Sequence, residues 1–238
     1  MSTDDQKRVA AEYGAGLVAD GMTVGLGSGS TAELAVHALG LRFQGGLRFV
    51  GVPTSRQTAQ IARSYGIPLT RLDERTRLDL NLDGADEVDP QLNLIKGHGG
   101  ALLREKLVAR AAARFVVIVD ESKRVDRLGE KSPVPVEVAQ FGWPATKHRL
   151  EALQLVCERR GASHPYVTLN HNYILDCRAG SDVAFARGEV ADAIKLETGV
   201  VEHGLFLGIA ALVVVGKADG GVEVLQAQRY STLHRSWP

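Results

Sequence analysis

The chain has almost no cysteine, no excess of either charge and no long apolar run, and each absence closes off a class of protein. Cys157 and Cys177 are its two cysteines. Neither stands in a C-x-x-C pair or at a histidine-ligand spacing, so both are expected to be reduced, partly buried thiols and not a disulfide or a zinc site. The 28 Lys and Arg balance 28 Asp and Glu, which leaves no basic field to bind nucleic acid by counterion release. The opening Met1-Ser2-Thr3-Asp4-Asp5-Gln6-Lys7 lacks the apolar core of a signal peptide. The longest apolar run, Leu205 to Val215, is too short and too glycine-broken to span a bilayer. The expectation is a cytoplasmic protein with no membrane or nucleic-acid partner. Its 238 residues are enough for a core that stands without staples, and no internal repeat or low-complexity segment interrupts them.

What is present is an alternation of strand and helix patterns. A helix over 5–19 precedes a strand at Met22–Leu26, and a second helix starts near Thr31. Strand Leu47–Val52, helix Ser55–Tyr65, a short strand at Ile67–Thr70, strand Leu78–Leu82, helix Ala101–Ala113 and strand Phe115–Val119 follow. Such βαβ alternation predicts an α/β fold with a mainly parallel, Rossmann-like sheet covered by helices on both faces. The texture changes near Leu128, where Ser132-Pro133-Val134-Pro135-Val136 reads as an extended crossing segment. A strand at Pro133–Val138, a helix at Thr146–Arg159, strands at Tyr166–Leu169 and Tyr173–Cys177 and a helix at Val190–Glu197 then suggest a smaller α+β, ferredoxin-like (split βαβ) domain. Ala210–Gly216 and Val222–Leu225 flank Asp219-Gly220-Gly221 and predict a hairpin returning to the first sheet. The expected division is 1–128 with 203–238 as an α/β catalytic domain, and 129–202 as a small lid or oligomerisation domain. The tail after Gln226 is expected to fray.

Two motifs carry chemistry. Gly25-Leu26-Gly27-Ser28-Gly29-Ser30-Thr31-Ala32 lies between the first strand and the next helix, where small residues and free helix N–H groups make an anion site, with hydroxyls of Ser28, Ser30 and Thr31 as further donors. A dinucleotide fingerprint would need a glycine where Ser30 stands and an acid in 47–55, and both are missing. A nucleophile elbow would need G-x-S-x-G, and neither Ser28 nor Ser30 is framed so. A phosphate monoester fits best.

The second motif is acidic. Leu78, Leu80 and Leu82 alternate with Asp79, Asn81 and Asp83, so Asp83 falls at the carboxyl end of a strand, the edge where open α/β sheets bind ligands. Gly84-Ala85-Asp86-Glu87-Val88-Asp89 follows, then Lys96-Gly97-His98-Gly99-Gly100-Ala101-Leu102-Leu103-Arg104-Glu105-Lys106. Several carboxylates and a lysine in a glycine-rich setting, with no cofactor motif or metal-ligand spacing, suit proton abstraction next to the carbonyl of a sugar phosphate. No cofactor and no metal are expected. His148, His164 and His203 have no paired ligand spacing.

These blocks, G-L-G-S-G-S-T-A, D-G-A-D-E-V-D and K-G-x-G-G-A-L-L-R-E-K in this order, together with Asn172-Tyr173-Ile174-Leu175-Asp176 and Gly199-Val200-Val201-Glu202-His203-Gly204-Leu205-Phe206, resemble the type A ribose-5-phosphate isomerase family. The resemblance implies a ribose 5-phosphate to ribulose 5-phosphate isomerase of the pentose phosphate pathway, acting as a homodimer or a tetramer. It implies Glu105 as the base on carbon 2, Asp83 and Asp86 in ring opening, hydroxyl binding and proton relay, and Lys96 against the enediolate and ring oxygens. It places Ser28, Gly29, Ser30 and Thr31, Gly84 and Ala85, and Gly97, His98 and Gly99 against substrate, with Lys123 and Lys7 reaching the phosphate. Ser28 stands where a threonine is frequent, and His98 in a loop that is often all glycine, where a solvent-facing histidine is the simpler account. Two other readings compete. A sugar-phosphate sensor module would keep the phosphate loop without a base and is expected to carry a winged helix ahead of the sheet, where about twenty residues precede the first strand. A divalent-metal hydrolase would draw on Asp83, Asp86 and Asp89, whose spacing fits neither a calcium loop nor a two-metal site.

Overall fold

The computed structural model describes residues 1–73, 77–180 and 183–227. The chain divides into two compact units, the first comprising 1–85, 104–123 and 208–238 and the second 86–103 and 124–207.

The first unit is built on a six-stranded sheet. Its elements are α1 (Thr3–Gly16), β1 (Thr23–Leu26), α2 (Ser30–Gln44), β2 (Val50–Pro53), α3 (Arg56–Ser64), β3 (Leu78–Asp83), α4 (Leu102–Ala111), β6 (Ala112–Asp120), β12 (Leu212–Gly216) and β13 (Val222–Gln226). In the second unit lie two short strands, β4 (Glu87–Val88) and β5 (Leu94–Ile95). The sheet order is β13-β12-β6-β3-β1-β2. All neighbours are parallel except the terminal β12–β13 hairpin, which is antiparallel as the turn residues predict.

From β1 the chain steps to β2 on one side and then crosses back to β3 on the other. The crevice between the carboxyl ends of β1 and β3 is therefore the switch point of the sheet.

Helix α1 starts at a capping box in which Ser2 Oγ accepts from Asp5 N–H and the Asp5 carboxylate accepts from Ser2 N–H. Its Ala10, Ala11, Gly14 and Ala15 face is buried. A side chain at Gly14 would strike Leu82 and Ile118, so small residues let the helix lie close on the sheet. Leu26, Leu39, Leu80, Leu82 and Ile118 fill the core beneath it, each buried side chain contributing about 1.5–3 kcal/mol.

The second unit holds β7 (Val134–Val138), α5 (Trp143–Ala152), β8 (Leu155–Arg159), β9 (Tyr173–Ala179), α6 (Gly188–Leu196), β10 (Val200–His203) and β11 (Leu205–Phe206). The βαββαβ order with antiparallel strands arranged β10-β7-β9-β8 is the ferredoxin-like arrangement. A three-stranded sheet, β11-β5-β4, joins the acidic motif to the lysine loop.

Four expectations need correction. Helix α5 ends at Ala152, and what reads as its second half is strand β8. Gln154 takes a positive φ of 63° that ends the helix, and Leu155 and Cys157 then alternate inward with exposed Val156 and Glu158. Residues 166–169 form no strand, because Thr168 turns its hydroxyl to the buried Glu137 carboxylate instead. The stretch 67–70 contributes only a single bridge, Leu69 to Gly51. Finally, Cys157 and Cys177 are joined in a disulfide and fully buried, because β8 and β9 pair in the register that sets them directly opposite with Cα atoms 4.1 Å apart. A sequence separation of 20 carries no trace of that register. The expected fraying of the tail lies outside the described residues beyond Ala227. Among the described residues, no helix is long and apolar enough to cross a membrane.

Candidate active site

The glycine loop occupies the switch point of the first unit. Gly27 N–H donates to Leu82 O at 2.9 Å, and Ser28 N–H donates across the crevice to Asp83 Oδ1 at 3.0 Å. Gly84 N–H donates to the same oxygen at 2.8 Å, so the fully buried Asp83 carboxylate is aimed by two backbone amides. A side chain at Gly27 would overlap that carboxylate, which is why the position has none.

Two threonines that the sequence reading did not single out brace the loop from the β2 side. Thr58 Oγ1 donates to Gly27 O at 2.7 Å, and Thr54 Oγ1 donates to Leu26 O at 3.1 Å. Thr54 thereby commits its only proton, so in the 2.5 Å contact with Ser28 Oγ it is Ser28 that donates. Ser28 Oγ is left as an acceptor, suited to a substrate hydroxyl more than to a phosphate oxygen. Donors for a phosphate come instead from the first turn of α2. Gly29, at φ 91°, is its N-cap and supplies no side-chain cap, so the backbone amides are open to an anion beside the hydroxyls of Ser30 and Thr31. A Cβ added at Gly84 would lie 4.0 Å from Thr31 Cβ, and Ala85 follows at the same strand end.

Glu105 stands in the first turn of α4, at the positive end of the helix dipole, and is only 3% exposed. Its neighbour Arg104 points outward. Lys7 lies on α1 and pairs with Asp4 at 3.2 Å. Lys123 closes the 3₁₀ turn Glu121–Lys123, which is tied to α1 by Glu121 N–H donating to Gln6 Oε1 at 3.2 Å. Among the described residues, no hydrogen bond or ion pair ties Lys7 or Lys123 to the glycine loop. In the same turn, the Ala218 N–H first and then Lys217 hold the Glu121 carboxyl below the usual carboxylate range.

In the second unit, Asp86 and the lysine loop form one assembly. Asp86 N–H donates to Ile95 O at 2.8 Å. Its Oδ2 accepts from His98 N–H at 3.0 Å, and its Oδ1 lies 3.8 Å from His98 Nδ1. His98 is thus partly exposed, as expected, yet its backbone and ring both turn to Asp86. Lys96 is 3% exposed, with its N–H donating to Gly204 O and its ammonium 5.7 Å from the Phe206 ring centre. Gly97, at φ 109°, has no room for a side chain because Leu102 and Pro135 press on it, whereas Gly99 faces open space.

The loop is gripped from outside by residues the sequence did not flag. Arg160 donates to Gly97 O at 3.2 Å and His98 O at 2.8 Å, while Asp176 holds its guanidinium through Nε at 2.9 Å and Nη2 at 2.5 Å. Tyr166 donates to Gly99 O at 3.2 Å. Asp176 ends the Asn172–Asp176 block, a signal that was available, but nothing in the sequence linked Arg160 or Tyr166 to residues 97–99. Asp89 caps its own turn, accepting from Gln91 N–H, Asn93 N–H and Asn93 Nδ2.

The family model for ribose 5-phosphate isomerase A (phosphoriboisomerase A) matches residues 50–220. The ribose-5-phosphate isomerase A of Synechococcus sp. (strain JA-3-3Ab) is 52% identical over 94% of this chain and 98% of its own length. That of Roseiflexus castenholzii is 54% identical over 92% and 94%. Among solved structures, a D-ribose-5-phosphate isomerase in complex with phospho-erythronic acid superposes with a TM-score of 0.90 at 38% identity, covering 95% of this chain and all of the other. The ribose 5-phosphate isomerase of Plasmodium falciparum gives 0.86 at 36%, covering 94% and 99%. The buried acids and the lysine loop lie within the matched residues 50–220, and the chain belongs to the ribose-5-phosphate isomerase A family.

Proposed function

We propose that the chain interconverts D-ribose 5-phosphate and D-ribulose 5-phosphate through an enediolate, without a cofactor or metal, in the pentose phosphate pathway. The observation that supports this most directly is the 3.0 Å hydrogen bond joining the phosphate-type loop at Ser28 to the buried Asp83 carboxylate, in a chain whose relatives across nearly its full length are named as this isomerase. A sensor module would need the loop but not the buried acids, and the relatives do not favour it.

In the proposed reaction, the α2 amides with Ser30 and Thr31 hold the phosphate, and Lys7 and Lys123 add charge. Ser28, Gly29, Gly84, Ala85, Gly97, His98 and Gly99 line the sugar. Asp83 and Asp86 move the proton that opens the ring. The Glu105 carboxylate takes the proton from carbon 2, and the C–H electrons form the carbon 1–carbon 2 double bond and leave negative charge on oxygen 1. Lys96 steadies that oxyanion. Glu105 then returns its proton to carbon 1, while the proton of the carbon 2 hydroxyl passes to oxygen 1. Residues 1–128 with 203–238 act as the catalytic domain and 129–202 as a lid or oligomerisation domain, in a cytoplasmic homodimer or a tetramer made of two such dimers.

The test is turnover in D₂O with EDTA present. Glu105, while protonated, trades its proton with solvent, so ribulose 5-phosphate should carry deuterium at carbon 1 at undiminished rate, and Glu105→Gln should lower kcat by about 10² or more. Unlabelled product, or activity lost to EDTA and restored by Mg²⁺, would overturn the mechanism.

A further inference from the structure

The first unit carries a second concavity that the isomerase reading does not use. A cavity of about 800 Å³ opens between α3, the end of β2 and α4, within the size range of small-molecule sites. Four arginines line it, Arg56 and Arg63 from α3, Arg71 from the segment before β3, and Arg104 from α4, and among the described residues one carboxylate, Asp73, stands with them. In a chain with equal numbers of acidic and basic residues, that local excess is a departure from the average surface.

Arg56 and Arg63 are seven residues apart on α3 and share a face with Gln60. No hydrogen bond or ion pair among the described residues engages the guanidinium of Arg56, Arg63 or Arg71. Three such guanidiniums on one cavity wall repel one another and favour a multiply charged anion, and arginine's planar fork matches phosphate oxygens two at a time. Beside the arginines, and besides the polar Ser55, Gln60 and Thr70, the wall offers an apolar stretch from Val52, Pro53, Leu72 and a half-exposed Leu107. Such a wall suits the flat face of a base and adds nothing to an inorganic anion.

We propose that this cavity binds a nucleoside di- or triphosphate and that the bound nucleotide modulates turnover. Coupling has a short path. Arg104 precedes Glu105 on α4, one facing the cavity and the other buried, and Ser55 of the cavity wall donates to Thr58, whose hydroxyl in turn holds Gly27. A ligand that ties α3 to α4 restrains both the helix carrying Glu105 and the brace of the glycine loop. The coupling, though not the binding, rests on the isomerase reading.

The experiment is equilibrium dialysis with ATP, adenosine and tripolyphosphate, beside isomerase assays, on the intact chain and on the double variant Arg63→Ser/Arg71→Ser. Both residues are exposed and outside the proposed catalytic machinery. ATP should bind below about 1 mM, at least about tenfold tighter than adenosine or tripolyphosphate, and the variant should weaken it about tenfold or more. Saturating ATP should change kcat in the parent only, with the variant's nucleotide-free kcat and KM unchanged. Several results would overturn the site: no ATP binding at 1 mM, equal binding by the variant, tripolyphosphate as tight as ATP, or an altered oligomeric state of the variant with no nucleotide bound. ATP binding lost in the variant with kcat unmoved would leave the site and overturn the coupling. Absence of any basal turnover would overturn the isomerase reading and leave the dialysis result standing.

Discussion

Adding one methyl group at Gly27 should disable this protein, whereas the same change at Gly84 should leave its stability intact, although both glycines lie beside Asp83. A Cβ at Gly27 overlaps the Asp83 carboxylate and presses on its backbone. Gly27 is not at positive φ, so the cost is steric and not conformational. Relief requires the carboxylate to leave, which breaks the amide bonds from Ser28 at 3.0 Å and Gly84 at 2.8 Å. A hydrogen bond to a charged group contributes about 1.5–3 kcal/mol and overpacking costs about 1–3 kcal/mol, so Gly27→Ala should lose at least about 3 kcal/mol. For a chain of this size that lowers the thermal midpoint by about 6 °C or more. At Gly84 the added Cβ would lie 3.8 Å from Ile118 O and 4.0 Å from Thr31 Cβ, ordinary contacts, so Gly84→Ala should change stability by less than about 0.5 kcal/mol. Differential scanning calorimetry and the coupled isomerase assay on both variants decide it. A Gly27→Ala protein with parental midpoint and kcat would refute the claim that Asp83 is aimed by this loop.

Replacing Ser30 and Thr31 together with alanine removes contacts made in ground and transition states alike, so KM for ribose 5-phosphate should rise more than kcat falls; an unchanged KM would remove α2 from the phosphate site. Lys96→Met should cost most of the turnover while circular dichroism stays parental, and full activity would show that the oxyanion is held otherwise. Arg160→Met removes the grip on Gly97 O and His98 O, so kcat/KM should fall about tenfold or more at charge-assisted hydrogen-bond strength. Arg160→Lys should rescue it only in part, because a single ammonium cannot reproduce the fork to Asp176. The depressed Glu121 carboxyl contributes stability above its unfolded value that is lost as pH falls through the folded one. Glu121→Gln should therefore melt below the parent at neutral pH and with it in acid, and a difference that persists in acid would count against the Ala218 and Lys217 contacts.

Local pattern was enough for the elements whose residues carry their own period. The alternation Leu78, Leu80, Leu82 announced β3 and set Asp83 at its end. The small residues after β1 announced a loop that opens a helix, and the βαβ rhythm announced a parallel sheet with its switch point beside that loop. Strand β8 was missed because Leu155 to Arg159 is also compatible with a helix, and the decision fell to a positive φ at Gln154 and to pairing with β9. The disulfide was missed for a related reason, since two cysteines 20 apart meet only if that pairing takes one register.

The chemistry divides the same way. Residue types and their order singled out the acids, the lysine and the glycine loop as candidates, because side-chain chemistry is written directly in the chain. Which partner holds each one depended on the tertiary structure. Thr54 and Thr58 brace the glycine loop across 26 to 31 residues, and Arg160 grips residues 97 and 98 from 63 and 62 positions away. Such bonds are selected by the geometry of packed strands and not by sequence distance, so no spacing rule could have predicted them.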